Sequence, residues 1–203
     1  MEYSGRTITL RDGRACLLRS PGPDDGKAML DYLRRTAKET PYLIRYPDEI
    51  DVTLKEERPF LKQALEDPRR LMISAFVGGQ VAGNAALAPV SPYRKFRHRA
   101  QLGVAVRKSC WGQGLGRALI EALCAAAPDM GYDQIELEVS SANRRAVELY
   151  ERLGFEIWGE RPRAFRYDSG ATSSELLMVR RVEDDGWRPL VASMITETEE
   201  YKR

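Results

Sequence analysis

The chain has 203 residues, 43% of them hydrophobic and 31% charged, and a formal net charge of +2 at pH 7. Such a composition fits a soluble globular protein with a sizeable core, and the charge balance gives no global drive toward nucleic acid or a membrane surface. No apolar run reaches the roughly 18 residues that span a bilayer. Met1 to Leu10 carries Glu2 and Arg6 without an apolar signal core, so a cytoplasmic location is expected.

Cys16, Cys110 and Cys124 are widely spaced and form neither a disulfide framework nor a metal-ligand pattern. His98 is the only histidine, so a zinc site or a Ser/His/Asp triad would have to be built around it, and there is no G-x-S-x-G elbow. No metal is expected. The reading is a single domain over 1–182, followed by a tail over 183–203 with two alternatives, a short helix or a mobile chain.

In chain order, Thr7–Leu10 and Ala15–Arg19 read as short strands joined by Asp12-Gly13, a hairpin turn signal. Pro23-Asp24-Asp25 opens a helix with an apolar stripe at Met29, Leu30 and Leu33, running to about Lys38. Thr40–Asp51 holds two prolines and reads as a loop. Thr53 with Glu56 is a capping box for the helix carrying Phe60, Leu61 and Leu65. Leu71–Val77, the Gly78-Gly79 turn and Gln80–Ala88 form a second hairpin. Ser91–Arg99 is a basic connection and Ala100–Val106 the next strand. A glycine-rich turn then leads into a helix from Gly114 to Ala127, with Leu115, Leu119, Ala122, Leu123 and Ala126 on one side. Gln134–Val139 is a strand, Ala142–Leu153 a helix closed by Gly154, and Phe155–Glu160 and Ser174–Val182 the last strands. Hairpins at both ends predict a mixed sheet rather than a purely parallel one.

The turn Trp111-Gly112-Gln113-Gly114-Leu115-Gly116-Arg117 joins a strand directly to a helix. The first amides of a helix have no internal acceptor, and the helix dipole adds partial positive charge there, so an anion satisfies both. Alternating glycines let successive amides curl around a diphosphate, and Arg117 adds a fixed charge. The spacing matches neither the dinucleotide fingerprint nor the Gly-Lys-Ser/Thr phosphate loop.

Two segments carry a resemblance. The first is Leu102-Gly-Val-Ala-Val106 followed by Trp111-Gly-Gln-Gly-Leu-Gly-Arg-Ala-Leu119; the second is Glu138-Val-Ser-Ser-Ala-Asn143-Arg-Arg-Ala146-Val-Glu-Leu-Tyr150-Glu-Arg-Leu-Gly154-Phe155. Together they resemble the GNAT superfamily of acyl-CoA-dependent N-acyltransferases, with Trp111 where arginine or glutamine is commonest. The resemblance implies an α+β fold. Its sheet would be mixed, largely antiparallel and six- to seven-stranded, with helices on both faces and a splay between the strands near 100–106 and 134–139. It implies acetyl-CoA as co-substrate. The pantetheine arm would add to the strand at Leu102, Val104, Ala105 and Val106, the pyrophosphate would lie on the amides of Gly112, Gln113, Gly114, Leu115, Gly116 and Arg117, and Asn143 and Ala146 would contact the arm.

Asn143, Val147 and Tyr150 share one helical face. Acyl transfer to an amine needs loss of an amine proton, stabilisation of an oxyanion and protonation of the leaving thiolate. The resemblance makes Tyr150 the general acid; the alternative is a core aromatic. Glu138 lies twelve positions before Tyr150, a spacing similar to the glutamate–tyrosine pair of ribosomal-protein N-terminal acetyltransferases. A buried Glu138 would then be the base; the alternative is a solvated strand carboxylate. Glu39 and Asp48, read as loop residues after the first helix, are rival candidates for the amine. The basic run around His98 is either a solvated hairpin tip or an attractor of phosphates or an acidic substrate. Cys110, beside the turn, is given no nucleophilic role.

Three function classes compete. A transferase acting on a small-molecule or peptide amine is favoured by the phenol at Tyr150. A non-catalytic acyl-CoA sensor or scaffold of the same fold would not need that group. A nucleic-acid binder would rely on the basic hairpin. The acceptor segments, about 24–68 and 161–173, mix Tyr32, Tyr42, Tyr46, Phe165 and Tyr167 with charges of both signs. Edge strands would permit a homodimer.

Overall fold

The computed structural model describes residues 1–182; the tail over 183–203 lies outside the described residues. The strands are β1 (Arg6–Thr9), β2 (Ala15–Arg19), β3 (Leu71–Val77), β4 (Gln80–Pro89), β5 (Arg99–Val106), β6 (Gln134–Ser140), β7 (Glu156–Arg166) and β8 (Thr172–Arg181). The helices are α1 (Gly26–Glu39), α2 (Leu54–Glu66), α3 (Leu115–Ala126) and α4 (Arg144–Arg152). All eight strands join one sheet, in the order β1-β2-β3-β4-β5-β6-β8-β7. The count exceeds the expected six to seven because both terminal hairpins extend the sheet rather than pack beside it.

Every neighbouring pair is antiparallel except β5 and β6. Each hairpin has the turn chemistry it requires: Gly13 after Asp12, and the Gly78-Gly79 pair, all at positive φ. The chain crosses from β5 to β6 through α3, as a parallel pair demands.

The two faces of the sheet bury different helices. Leu115, Leu119, Ile120 and Leu123 of α3 pack with Leu71, Ile73, Ala85 and Leu87 of β3 and β4 in the larger core. Ile120 and Cys124 are buried beyond the expected stripe, while Ala122 and Ala126 are only half-buried. On the other face Met29 and Tyr32 of α1 and Leu61 of α2 pack against Phe76 and Val81. The capping box at the start of α2 is present: the Glu56 carboxylate accepts from the Thr53 amide at 2.9 Å and the Thr53 hydroxyl at 2.7 Å.

One pairing positions the site. β5 and β6 are in register only at Arg99↔Gln134, Ala100↔Ile135 and Gln101↔Glu136, after which they part. β4 continues alongside β5 up to Val106 and β8 alongside β6 up to Ser140, so a gap opens between two strands that are each secured on their far side. The guanidinium of Arg99 holds the carboxylate of Glu136 where the pairing ends, with Nη2 at 2.7 Å.

Candidate functional site: a strand gap beside a helix start

The amide of Arg107 donates to the carbonyl of Ala82 on β4 at 2.9 Å. Backbone groups of alternate residues in an antiparallel strand point to opposite edges. Those of Leu102, Val104 and Val106 therefore face the gap, and those of Ala105 face β4. The carbonyl of Ala105 also accepts from the hydroxyl of Tyr32 on α1, at 2.7 Å. In the sequence Tyr32 reads only as one of the aromatics of the acceptor segments; here burial pushes its phenol well up.

Beyond β5 the chain makes a short 3-10 turn over Lys108–Cys110 and enters the glycine turn. Gly112 and Gly114 have φ of 78° and 86°, a left-handed conformation that costs other residues about 1–2 kcal/mol. Gly116 serves differently: a Cβ there would meet Leu149 of α4 at 3.3 Å, so its role is close approach between the helices. The amides of Gly112, Gln113, Gly114, Leu115, Gly116 and Arg117 have no acceptor in the described chain; Ala118 is the first to bond back, to the Gly114 carbonyl at 3.0 Å. The carbonyls are engaged elsewhere, because Arg11 in the β1–β2 hairpin reaches Gln113 O through its amide and Gly112 O through its guanidinium, both at 3.3 Å. A run of free N–H donors at a helix start, with its carbonyls held on another group, fits a diphosphate.

Trp111 ties this turn to β5 by donating its indole N–H to the carbonyl of Val106 at 2.7 Å. The guanidinium of Arg145 on α4 stands 5.0 Å from the indole ring. Arg11 and Arg145 carried no local signal in the sequence; both reach the turn from distant parts of the chain. Arg117 instead pairs with Glu121 one turn along α3 at 2.7 Å.

α4 brings the second group of residues to the gap. The side-chain oxygen of Asn143 accepts from the amide of Ala146 at 3.4 Å, so Asn143 caps α4 and leaves its NH2 group free. Ala146 and Val147 are half-buried, and Tyr150 is buried with its ring edge-on to Phe155 at 5.9 Å. The Tyr150 hydroxyl has no hydrogen-bond partner among the described residues. Burial pushes its pKa up to about 12.

Glu138 is not buried. Its side chain is 46% exposed on the α1 face of the sheet, with Arg161 of β7 at 3.8 Å. Arg161 also holds Glu175 of β8. Glu39 is not a loop residue but the last residue of α1, where its carboxylate accepts from the amide of Lys108 at 2.6 Å and lies 3.7 Å from Arg107. Asp48 sits in a 3-10 turn over Pro47–Glu49. His98 and its basic neighbours lie at the opposite end of β5 from the glycine turn, about 20 Å away along the strand. The three cysteines are free and buried, and burial pushes the Cys16 thiol up to about 11. Among the described residues, no cluster of side chains suits a metal ion, and no helix is long and apolar enough to cross a membrane.

A small cavity opens on the α1 face beside the end of β6. Tyr42, Tyr46, Phe165 and Tyr167 wall it, with Ser140 and Arg166. Tyr42 is tied to the β6–α4 connection by its hydroxyl, which donates to the carbonyl of Ala142 at 3.1 Å. Tyr32, the fifth aromatic of the acceptor segments, stays apart under α1.

A parting parallel strand pair, flanked by a helix start with free amides, defines the acyl-CoA-binding class of α+β folds. The model of the acetyltransferase (GNAT) family matches residues 26–155, well over half the chain; the protein belongs to that family. The L-methionine sulfoximine/L-methionine sulfone acetyltransferase of Pseudomonas paraeruginosa is 33% identical over 92 residues, covering 45% of this chain and 54% of that protein. N-acetyltransferase 8F1 of Rattus norvegicus is 35% identical over 85 residues, covering 41% and 38%. The matches thus span about half the length of these curated relatives, or less. Among solved structures, a GNAT-family acetyltransferase of Streptococcus pneumoniae superposes with a TM-score of 0.78 at 28% identity, over 82% of this chain and 99% of that one. A protein of Salmonella typhimurium solved with its cofactor acetyl-CoA shares the fold, with a TM-score of 0.72 at 18% identity over 85% and 97% of the two chains.

Proposed function

We propose that this protein transfers an acetyl group from acetyl-CoA to a primary amine, by direct attack of the amine on the thioester. The single observation that carries this reading is the run of unpartnered amides from Gly112 to Arg117 at the mouth of the β5–β6 gap. The bound co-substrate supplies the electrophilic thioester carbonyl and the leaving sulfur.

Each residue then has a defined task. The amides of the glycine turn hold the diphosphate, and the gap-facing groups of Val104 and the N–H of Val106 pair with the pantetheine amides as an added strand would. The N–H groups on that edge are the donors available to negative charge developing on the carbonyl oxygen. As the new C–N bond forms and the C–S bond breaks, Tyr150 gives its phenolic proton to the departing thiolate and recovers one from solvent. The amine proton leaves to water on the α1 face, where Glu138 stands solvated beside Arg161. Support for Tyr150 comes from its buried ring, its unengaged hydroxyl and its high pKa, which keeps the phenol protonated at neutral pH.

The test is CoA release from acetyl-CoA in the presence of an amine panel, with acetylated product identified by mass spectrometry. Acceptor-dependent thiol release supports the transferase. Tight binding of CoA with no transfer to any amine would leave only a binding module.

A further inference from the structure

Among the described residues, three glycines stand inside strands: Gly83 in β4, Gly103 in β5 and Gly159 in β7. A glycine there weakens the strand, because it packs no side chain and loses more chain entropy on folding, and it often marks a place where something approaches the backbone closely. Packing accounts for two of them. A Cβ at Gly83 would meet Leu119 of α3 at 3.2 Å, and one at Gly159 would meet Leu177 of β8 at 3.3 Å. Neither packing nor conformation accounts for Gly103. Nothing lies within 4 Å of its Cβ position, its φ is not positive, and it is the one exposed residue of β5.

Alternation along β5 fixes where that open volume lies. Leu102 and Val104 pack into the larger core with α3 and α4, while Ala105 packs with Met29 and Tyr32 of α1. The Cβ direction of Gly103 is therefore on the α1 face. Gln101↔Glu136 is the last pair of β5 and β6, so two residues further on Gly103 and Glu138 stand level on the two banks of the opening gap. With the thioester lying in that gap, its other side is closed by Leu115, Leu119 and Tyr150 of the larger core. The amine then arrives from the α1 face, past Gly103. The backbone groups of Gly103 point to β4, as those of Ala105 do. Whatever lies over Gly103 thus makes steric contact with it and no hydrogen bond.

We propose that Gly103 is a specificity-determining residue, and that the volume over it takes a second substituent on the carbon that bears the reacting amine. The acceptor's amine stands on a branched carbon, as in an α-amino amide. An amine on a terminal methylene, as in a polyamine, would leave the volume unfilled and the glycine without a use. The inference rests on the transferase reading above and goes further by naming the acceptor class.

The experiment compares kcat/KM for leucinamide, isoamylamine (leucinamide without its carboxamide) and putrescine, each with acetyl-CoA, in the full chain and in G103A and G103V. The parent should prefer leucinamide over isoamylamine by about tenfold or more, the range that a filled as against an empty space commands. G103V should lower kcat/KM for leucinamide about tenfold or more and for isoamylamine less than about threefold, so that the preference is lost or reversed, with G103A in between. Both variants should keep the CoA dissociation constant within about twofold of the parent. Both should hold or raise the urea midpoint, because a side chain at this position meets no neighbour. A parent preference for isoamylamine or putrescine, a leucinamide preference that survives in G103V, or a fall in CoA affinity or in the urea midpoint overturns the inference and leaves the transferase standing. Absence of transfer to every amine while CoA still binds overturns both.

Discussion

The indole of Trp111 and the backbone of Val106 form the joint between the strand and the helix start: Nε1–H donates to the gap-facing carbonyl at 2.7 Å. The bond consumes the last acceptor on the free edge of β5 and fixes the angle at which the chain enters the glycine turn. Trp111→Phe keeps the ring under Arg145 and removes only the donor. Titration calorimetry should show CoA affinity falling about fivefold, near 1 kcal/mol, the net value of one such bond. An unchanged affinity would mean that the turn holds its shape without the joint.

Gly114 has open space where a Cβ would go but a φ of 86°. Gly114→Ala should therefore cost about 1 kcal/mol of unfolding free energy from backbone strain alone, and CoA affinity should fall only modestly. Gly114→Glu places a carboxylate against the free amides and should abolish CoA binding in the same titration. Retained affinity in that variant would refute the diphosphate site.

Tyr150→Phe removes the phenolic proton while keeping the ring against Phe155. The kcat should fall about 100-fold or more, with the CoA dissociation constant nearly unchanged. With a pKa near 12 in the folded protein, Tyr150 stays protonated through pH 10, so kcat should show no loss from its ionisation below that pH. The same shift has a stability consequence. Between the unfolded value near 10 and the folded value, the unfolded chain binds fewer protons than the native one, so stability should decline as pH rises through that window. A plateau in stability across it would contradict the buried phenol.

Arg99 and Glu136 hold together the last paired residues before β5 and β6 part. Burial alone would push the Glu136 carboxyl up, but hydrogen bonds from Arg99 and Gln134 prevail and hold it below its ordinary value. Because the folded pKa is depressed, the stabilisation is present above the ordinary carboxylate pKa and is lost as pH falls through the folded value. Glu136→Gln should cost about 2 kcal/mol at pH 7, less than a fully buried pair since Arg99 is partly exposed. Urea unfolding at pH 7 and pH 3 checks this: the gap between variant and parent should shrink at the lower pH.

Local chemistry made much of this architecture legible. The Asp12-Gly13 and Gly78-Gly79 turns, the Thr53–Glu56 cap, the strands β2 and β3 and the onset of α3 all follow from residues within a few positions of each other. The far half of β7 did not. The sequence reading ends that strand at Glu160, and Pro162 with the charges around it carries no strand signal, yet β7 continues to Arg166 with irregular pairing between Arg161 and Phe165. Proline is tolerated there because β7 is the sheet edge and its outward amides need no partner.

By itself, then, the sequence determined most of the elements and the glycine spacing that frees the amides of the turn, since both depend on φ preferences and short-range periodicity. The tertiary structure alone decided where β5 and β6 part, that Arg11 takes up the turn's carbonyls, that Glu138 is solvated beside Arg161, and that Tyr42, Tyr46, Phe165 and Tyr167 share one cavity. Those relationships join residues more than a hundred positions apart. They are set by sheet register and by which faces pack together, and no local pattern of residues encodes such distances.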